Sequence, residues 1–384
     1  MVILLIYHQL SIIMKYSFLD YVIGQWSALP LVETADLSGK TVLVVGANVG
    51  IGLEASKHFA RMQPARLIIA CRSEAKGKAA LAEIEQETGY NGCELWIVDL
   101  AKFASVTAFA DKFEKEGGDL HILVMNAAIA LPIYQPTSDG WETVLVYLIF
   151  CARSYDSYLR FRLQVNYLAT SLLSLLLIPQ LVAAGRKSST PSRMVIVSSG
   201  VLYWITPAEE VKTSSKPLKT LGSEDWCIPE HMRSRYPESK LLNLFFVRAL
   251  TDRLQTITPL SAVAVTPGFC YSQLRRVWYE KPTFSFAKIA LAIQERLLAW
   301  TPEQGSRQLV FGAVGGRDNE ENMKGGFVSS HGRLVEVADF VLSDEGRKMQ
   351  DTVWKETIDI LRGVSDKIAP IVQDYLVVPD SSIN

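Results

Sequence analysis

The 384-residue sequence has almost no net charge: 39 lysines and arginines against 40 aspartates and glutamates leave −1. Without a basic excess there is no electrostatic case for nucleic acid or for an anionic membrane surface. Cysteine is scarce. Cys71, Cys93, Cys151, Cys227 and Cys270 are odd in number, widely spaced and free of any C-x-x-C pair. That suits a reducing compartment such as the cytoplasm and argues against a disulfide frame. The five histidines show no zinc-like spacing. Internal repeats, low-complexity tracts and Pro/Ser-rich linkers are missing as well. The apolar stretch at residues 1–14 is broken by Tyr7-His8-Gln9 and closed by Lys15, so it falls short of the about 20 residues a spanning helix needs. It also lacks the basic start and small-residue cleavage site of a secretory signal. Two readings of it stay open: a loosely packed extension, or a shallow contact with the surface of an internal membrane.

What is present is ordinary globular material. With 49% hydrophobic and 21% charged residues, a large core needs no staples. From Leu37 onward, short apolar runs alternate with helix-like stretches, as in a parallel sheet with crossover helices. Strands are predicted at residues 41–45, 66–71, 95–98, 121–125, 194–197 and 261–265, and helices at 51–62, 74–87, 105–116 and 237–254. The reading is one α/β domain, a doubly wound parallel sheet over residues 37–384, preceded by an extension at 1–36.

The first predicted strand runs into Gly46-Ala47-Asn48-Val49-Gly50-Ile51-Gly52, which opens a helix. Glycine lets backbone turn tightly and approach a pyrophosphate, whose charge then faces the helix N-terminus. The spacing is G-x-x-x-G-x-G; the strand–turn–helix context is what makes it informative. Arg72 ends the second strand, 20 residues beyond Gly52 (72 − 52). An acidic residue there would bind a ribose 2′-hydroxyl, whereas arginine accommodates a 2′-phosphate. Ser73 and Lys76 stand ready to assist. NADP(H) is therefore expected over NAD(H), the bland alternative being a solvated surface arginine.

Tyr236-Pro237-Glu238-Ser239-Lys240 places a phenol and an ammonium four residues apart, on one face of a helix. A free tyrosine ionises near pH ~10, and a nearby positive charge lowers that value. Pro237 is tolerable if the helix starts there, because a first-turn proline loses no needed donor. Among the 14 tyrosines, Tyr236 alone has a lysine four residues on. Together with the glycine turn, the pair reads as the machinery of hydride transfer.

In order along the chain stand Val45-Gly46-Ala47-Asn48-Val49-Gly50-Ile51-Gly52, Val98-Asp99-Leu100, Asn126-Ala127-Ala128, Val197-Ser198-Ser199, Tyr236-Pro237-Glu238-Ser239-Lys240 and Thr266-Pro267-Gly268. This set resembles the short-chain dehydrogenase/reductase family, in particular its retinol-dehydrogenase-like branch with many fungal members, over roughly residues 37–363. The resemblance implies a Rossmann-type fold and a cofactor site lined by Gly46, Asn48, Gly50, Ile51, Gly52, Arg72 and Lys76. Asp99 and Leu100 would contact the adenine, Asn126 and Ala127 the ribose, and Pro267 and Gly268 the nicotinamide. Ser199 would hold the substrate oxygen, and Tyr236 would act as general acid/base. Lys240 would tune Tyr236, both also reaching the cofactor, while Asn166 would support a water linking Lys240 to solvent. Val45 and Ala128 depart mildly from the family pattern, which has threonine and glycine there.

Aromatic residues crowd the segments expected beside the nicotinamide: Tyr203, Trp204, Trp226, Phe269, Tyr271, Trp278, Tyr279, Phe284 and Phe286. They point to a lipophilic alcohol or carbonyl substrate, unless the rings pack the core. One feature disturbs the pattern. Family members run from the tryptophan of Asp139-Gly140-Trp141-Glu142 to the active-site asparagine in about two helical turns; here the gap is 25 residues (166 − 141). A straight helix would carry Asn166 about 27 Å from its place. The extra residues, within 144–162, are explained by an unspliced in-frame intron, a lid or an oligomer contact. If they displace Asn166, the product is a catalytically impaired NADP-binding protein. Residues 172–178 are apolar enough for a homodimer interface or for burial in one subunit's core.

Overall fold

The computed structural model describes residues 16–128, 163–272 and 286–377, apart from 224, 227, 233 and 256. The expectations for residues 1–14 and 144–162 and for Trp278, Tyr279, Phe284 and the Phe286 ring fall outside the described residues.

Strands β1 (Thr41–Val45), β2 (Arg66–Cys71), β3 (Cys93–Ile97), β4 (Ile122–Met125), β5 (Ser192–Val197), β6 (Leu260–Val265), β7 (Phe327–Val328) and β8 (Leu334–Val335) form one sheet. Their order is β3-β2-β1-β4-β5-β6-β7-β8, parallel throughout except for the β7–β8 pair. Runs such as Thr41–Val45 and Ile122–Met125 are buried at every position, as strands covered on both faces must be. Register aligns Val45 with Ala70 of β2 and with Met125 of β4. Hence the glycine turn, Arg72 and Asn126 leave the sheet at one edge. There the chain reverses direction between β1's two neighbours, the place where a doubly wound sheet opens a crevice.

Helices cover both faces. Helix α1 (Phe18–Trp26) precedes the sheet; α2 (Gly50–Arg61), α3 (Glu74–Thr88) and α4 (Phe103–Lys112) follow β1, β2 and β3. Then come α5 (Ala169–Leu176), α6 (Ile178–Lys187), α7 (Arg235–Arg253), α8 (Phe286–Leu298), α9 (Pro302–Val314), α10 (Asp344–Arg362) and α11 (Ile368–Tyr375), with shorter turns between. One core joins Leu53, Phe59, Ile84, Leu309 and Val310 to β1 and β6 from α2, α3 and α9. The other joins Phe103, Leu172, Leu173, Phe245, Met349 and Val353 from α4, α5, α7 and α10. Each fully buried Leu, Ile or Phe contributes roughly 1.5–3 kcal/mol.

Element limits move little from those predicted. Helix 105–116 is α4 continued by a π turn at Phe113–Gly117. Helix 237–254 starts earlier, at Arg235, so Tyr236 and Pro237 both lie in its first turn, where a missing N–H still costs no bond. Residues 172–178 are buried in the core, the second of the two readings given for them, and are not available as a dimer face. Among the described residues no single helix is long and apolar enough to cross a membrane; α5 and α6, with the turn before them, are apolar enough only as a pair bent by 46°.

Candidate active site

The cofactor side is built from three strand ends. Gly46 takes φ +88 and packs so closely on Ala127 that a Cβ would lie 2.6 Å from its backbone. At Gly52 a Cβ would lie 2.3 Å from the Gly46 oxygen and 2.5 Å from Asn126 Nδ2. Asn126 clamps this turn by donating from Nδ2 to the Gly46 oxygen at 2.9 Å. Gly50 has φ +61 and would point a Cβ into open space. Val49 ahead of α2 supplies no side-chain cap, and the first turn of the helix holds no acidic residue. Its N–H groups thus face the crevice without a competing carboxylate, a donor set that fits a pyrophosphate. Asn48 and Ile51 are partly buried beside them.

Arg72 and Lys76 are exposed at the end of β2, with Ser73 capping α3 through the Lys76 N–H at 3.4 Å. Two solvated cations there fit a phosphate. Asp99 spends part of its carboxylate on the Ala101 N–H at 3.1 Å, and its own N–H donates to Ser105 at 2.9 Å. Leu100 is buried.

The candidate catalytic residues gather where β5, α7 and the loop after β6 meet. Lys240 is buried, donates to the Val197 oxygen at 2.9 Å, and holds Nζ 5.7 Å from the Tyr236 ring centroid. Burial lowers its pKa to about 8, so the ammonium persists at neutral pH and fades above it. Ser198 donates to the Lys240 carbonyl at 2.7 Å and ties β5 to this helix. Ser199 accepts the Val201 N–H at 3.4 Å, a bond that uses a lone pair and leaves the hydroxyl hydrogen for donation. Thr266, quoted in the sequence motif without a role, accepts from Gly200 N at 2.9 Å and Gly268 N at 3.4 Å. It couples the Ser199 loop to the Pro267-Gly268 loop. Asn166 is buried in a π turn, Gln164–Leu168, packed against α7. Such turns recur at functional sites, and this one keeps Asn166 against the helix of Tyr236 and Lys240.

Ser199, Tyr236, Ile51, Pro267 and Gly268 all line one cleft of about 1520 Å³. Tyr203, Trp204, Phe269 and Tyr16 line it too. Trp226 packs instead against the core and stacks on His231 at 3.8 Å, as the core-packing alternative had it. The wall the sequence did not reveal is α1. Nothing in the apolar text of residues 16–30 marks it as part of a site; only the capping box Ser17–Asp20 announces a helix.

Comparison with known proteins places the chain among relatives of one family. Residues 40–207 match the family model described as short chain dehydrogenase. Short chain dehydrogenase sol3 of Alternaria solani is 36% identical over 285 residues, covering 74% of this chain and 88% of its own. Short-chain dehydrogenase/reductase ffsI of Aspergillus flavipes is 30% identical over 335 residues, 86% of this chain and 88% of its own. Among solved structures, the oxidoreductase yciK from E. coli superposes with a TM-score of 0.51 at 20% identity, over 78% of this chain and 99% of its own. An actinorhodin polyketide ketoreductase with NADPH gives 0.51 at 16% identity, over 78% of this chain and 98% of its own.

Proposed function

The chain belongs to the short-chain dehydrogenase/reductase family, and we propose that it interconverts a lipophilic alcohol and its ketone or aldehyde with NADP(H). The observation that carries this reading is Lys240 buried 5.7 Å from the Tyr236 ring, with Tyr236 and Ser199 in one aromatic-walled cleft. A bound nicotinamide would supply or accept the hydride. Gly46, Gly50, Gly52 and the first turn of α2 would hold its pyrophosphate, and Arg72 and Lys76 the 2′-phosphate. Asp99, Leu100, Asn126 and Ala127 would flank the adenosine and ribose, and Pro267 and Gly268 the nicotinamide.

Ser199 donates to the substrate oxygen as negative charge grows there, and Tyr236 delivers the proton in reduction or removes it in oxidation. Lys240 stays charged below about pH 8 and favours the phenolate. The first-turn position of Tyr236 on α7 adds the positive end of the helix dipole. The seating of the Asn166 turn on α7 favours an enzyme over an impaired cofactor-binding protein.

The test is cofactor consumption against a panel of lipophilic and small polar carbonyls, with NADPH and with NADH. NADPH consumption with lipophilic members is expected, and no consumption with any carbonyl would refute the reaction. Arg72→Asp is expected to weaken NADPH binding about tenfold or more while sparing NADH. Equal losses would refute the cofactor choice.

A further inference from the structure

Helix α1 is tied to the site by groups more than two hundred residues away in sequence. Gln25 is 6% exposed. Its Nε2 donates to the Phe269 oxygen at 2.9 Å and the Leu298 oxygen at 2.7 Å, and its Oε1 accepts the Phe269 N–H at 3.1 Å. Both ends of one buried amide are thereby spent on a neighbouring backbone. Trp300 closes the joint by donating to the Gln25 carbonyl at 2.8 Å, and His331 bonds the Gly24 carbonyl at 3.1 Å. A surface extension would need none of this. Buried amides satisfied on both ends fix one geometry, because any shift leaves unpaired groups in a dry setting.

Phe269 directly follows Pro267-Gly268, so the Gln25 amide holds the loop beside the reacting end. The same segment brings two rings to the cleft, Tyr21 on the helix and Tyr16 just ahead of its cap. Tyr21 meets Trp204 edge-on at 5.3 Å and Phe269 at 6.4 Å. Tyr16 lies 5.2 Å from Tyr203 and stacks at 6.1 Å on Trp204, whose Nε1 donates to the Tyr16 carbonyl at 3.0 Å. Tyr203 is fixed in turn by its hydroxyl, which donates to the Glu336 carbonyl. The rings are braced through their polar atoms, and all line the cleft that holds Ser199 and Tyr236. Flat unsaturated faces are what such edge-on and offset surfaces bind best.

We propose that residues 16–30 are the substrate-selecting wall of this enzyme, that Gln25 is its positioning residue, and that the ligand it selects is a planar, ring-containing carbonyl or alcohol. The inference rests on the reading of Ser199 and Tyr236 as the reacting end. A small ketone reaches that end without touching the wall. A two-ring ketone gains contacts made alike in ground and transition states, which act on KM more than on kcat.

The experiment uses full-length wild type and Gln25→Leu, with Tyr21→Leu as a second variant that leaves the Gln25 bonds in place. Each is assayed with NADPH on 1-tetralone and on butan-2-one, and titrated with 1-naphthol by fluorescence, which needs no turnover. Gln25→Leu is expected to raise KM for 1-tetralone about tenfold and to weaken 1-naphthol binding by a similar factor. In Tyr21→Leu, where the Gln25 bonds to the Phe269 backbone remain, kcat and kcat/KM for butan-2-one should stay within about threefold of wild type. Tyr21→Leu should shift 1-naphthol and 1-tetralone in the same direction, and decides alone if Gln25→Leu does not fold. Unchanged 1-naphthol binding in a folded variant, or equal losses on both ketones in Tyr21→Leu, would overturn the proposal. If wild type consumes NADPH with no carbonyl at all, the reading of Ser199 and Tyr236 falls, while 1-naphthol binding still decides the wall.

Discussion

The two sides of the crevice are made in different ways. On the cofactor side, turn, clamp and phosphate-facing helix come from strand ends that sit side by side: Gly46 after β1, Arg72 after β2, Asn126 after β4. On the substrate side, the wall is assembled from segments around residues 16–30, 199–205, 266–272 and 327–336, joined by single side chains such as Gln25 and Thr266. The first is a local device that recurs whenever a strand runs into a glycine turn. The second exists only once the whole chain has folded. The chemistry we propose sits at the seam, on Tyr236 and Lys240, and each half is expected to be open to disturbance without the other.

The largest expected effect comes from the seam itself. Tyr236→Phe removes one hydroxyl with little change in volume and should lower turnover about 10²–10⁴-fold, the range of a lost general acid. NADPH and 1-naphthol binding should both survive, which a merely misfolded variant would not manage. Next is Lys240→Met. The folded lysine titrates near 8 against an ordinary value near 10.5. Below 8 both folded and unfolded chains hold the proton; between 8 and 10.5 only the unfolded chain does. Stability contributed by this group therefore rises with pH across that window, by about 3 kcal/mol in all. Denaturant melts of wild type minus Lys240→Met should show that rise, and a flat difference would mean the lysine is not buried as described. The Val197 carbonyl keeps the Asn243 amide at 3.3 Å in the variant, so no bare acceptor masks the result. The smallest effects sharpen the contrast most. Arg72→Asp should leave 1-naphthol binding alone and Tyr21→Leu should leave NADPH binding alone; crossed losses in both would show that the halves are one unit.

Much of the fold could be read from residue order, because parallel strands buried on both faces are continuous apolar runs and their limits are sharp. Strands β1 and β2 fall where the runs of residues 41–45 and 66–71 predict. Local spacing also told where residues would lie: the glycine turn stands at a strand–helix junction and Lys240 beside the Tyr236 ring. The candidate site was illegible at Tyr16, Tyr21 and Gln25, whose placement depends on bonds to residues 204, 269 and 298. A glutamine in an apolar helix carries no local sign of such partners. Residues 172–178 stay open between two readings in sequence for a related reason: an apolar stripe says that something covers it, and here the cover is the chain's own core, with α11 packed on α5.

The central claim is that the Lys240 charge makes the Tyr236 phenol acidic enough to exchange a proton with substrate. The pH dependence of kcat/KM for oxidation of 1-tetralol, compared between wild type and Lys240→Met, tests it most directly. Wild type should lose activity on the acidic side with an apparent pKa well below the ~10 of free tyrosine, and the variant's residual activity should show that limb displaced upward. A limb at the same pH in both proteins would contradict the account.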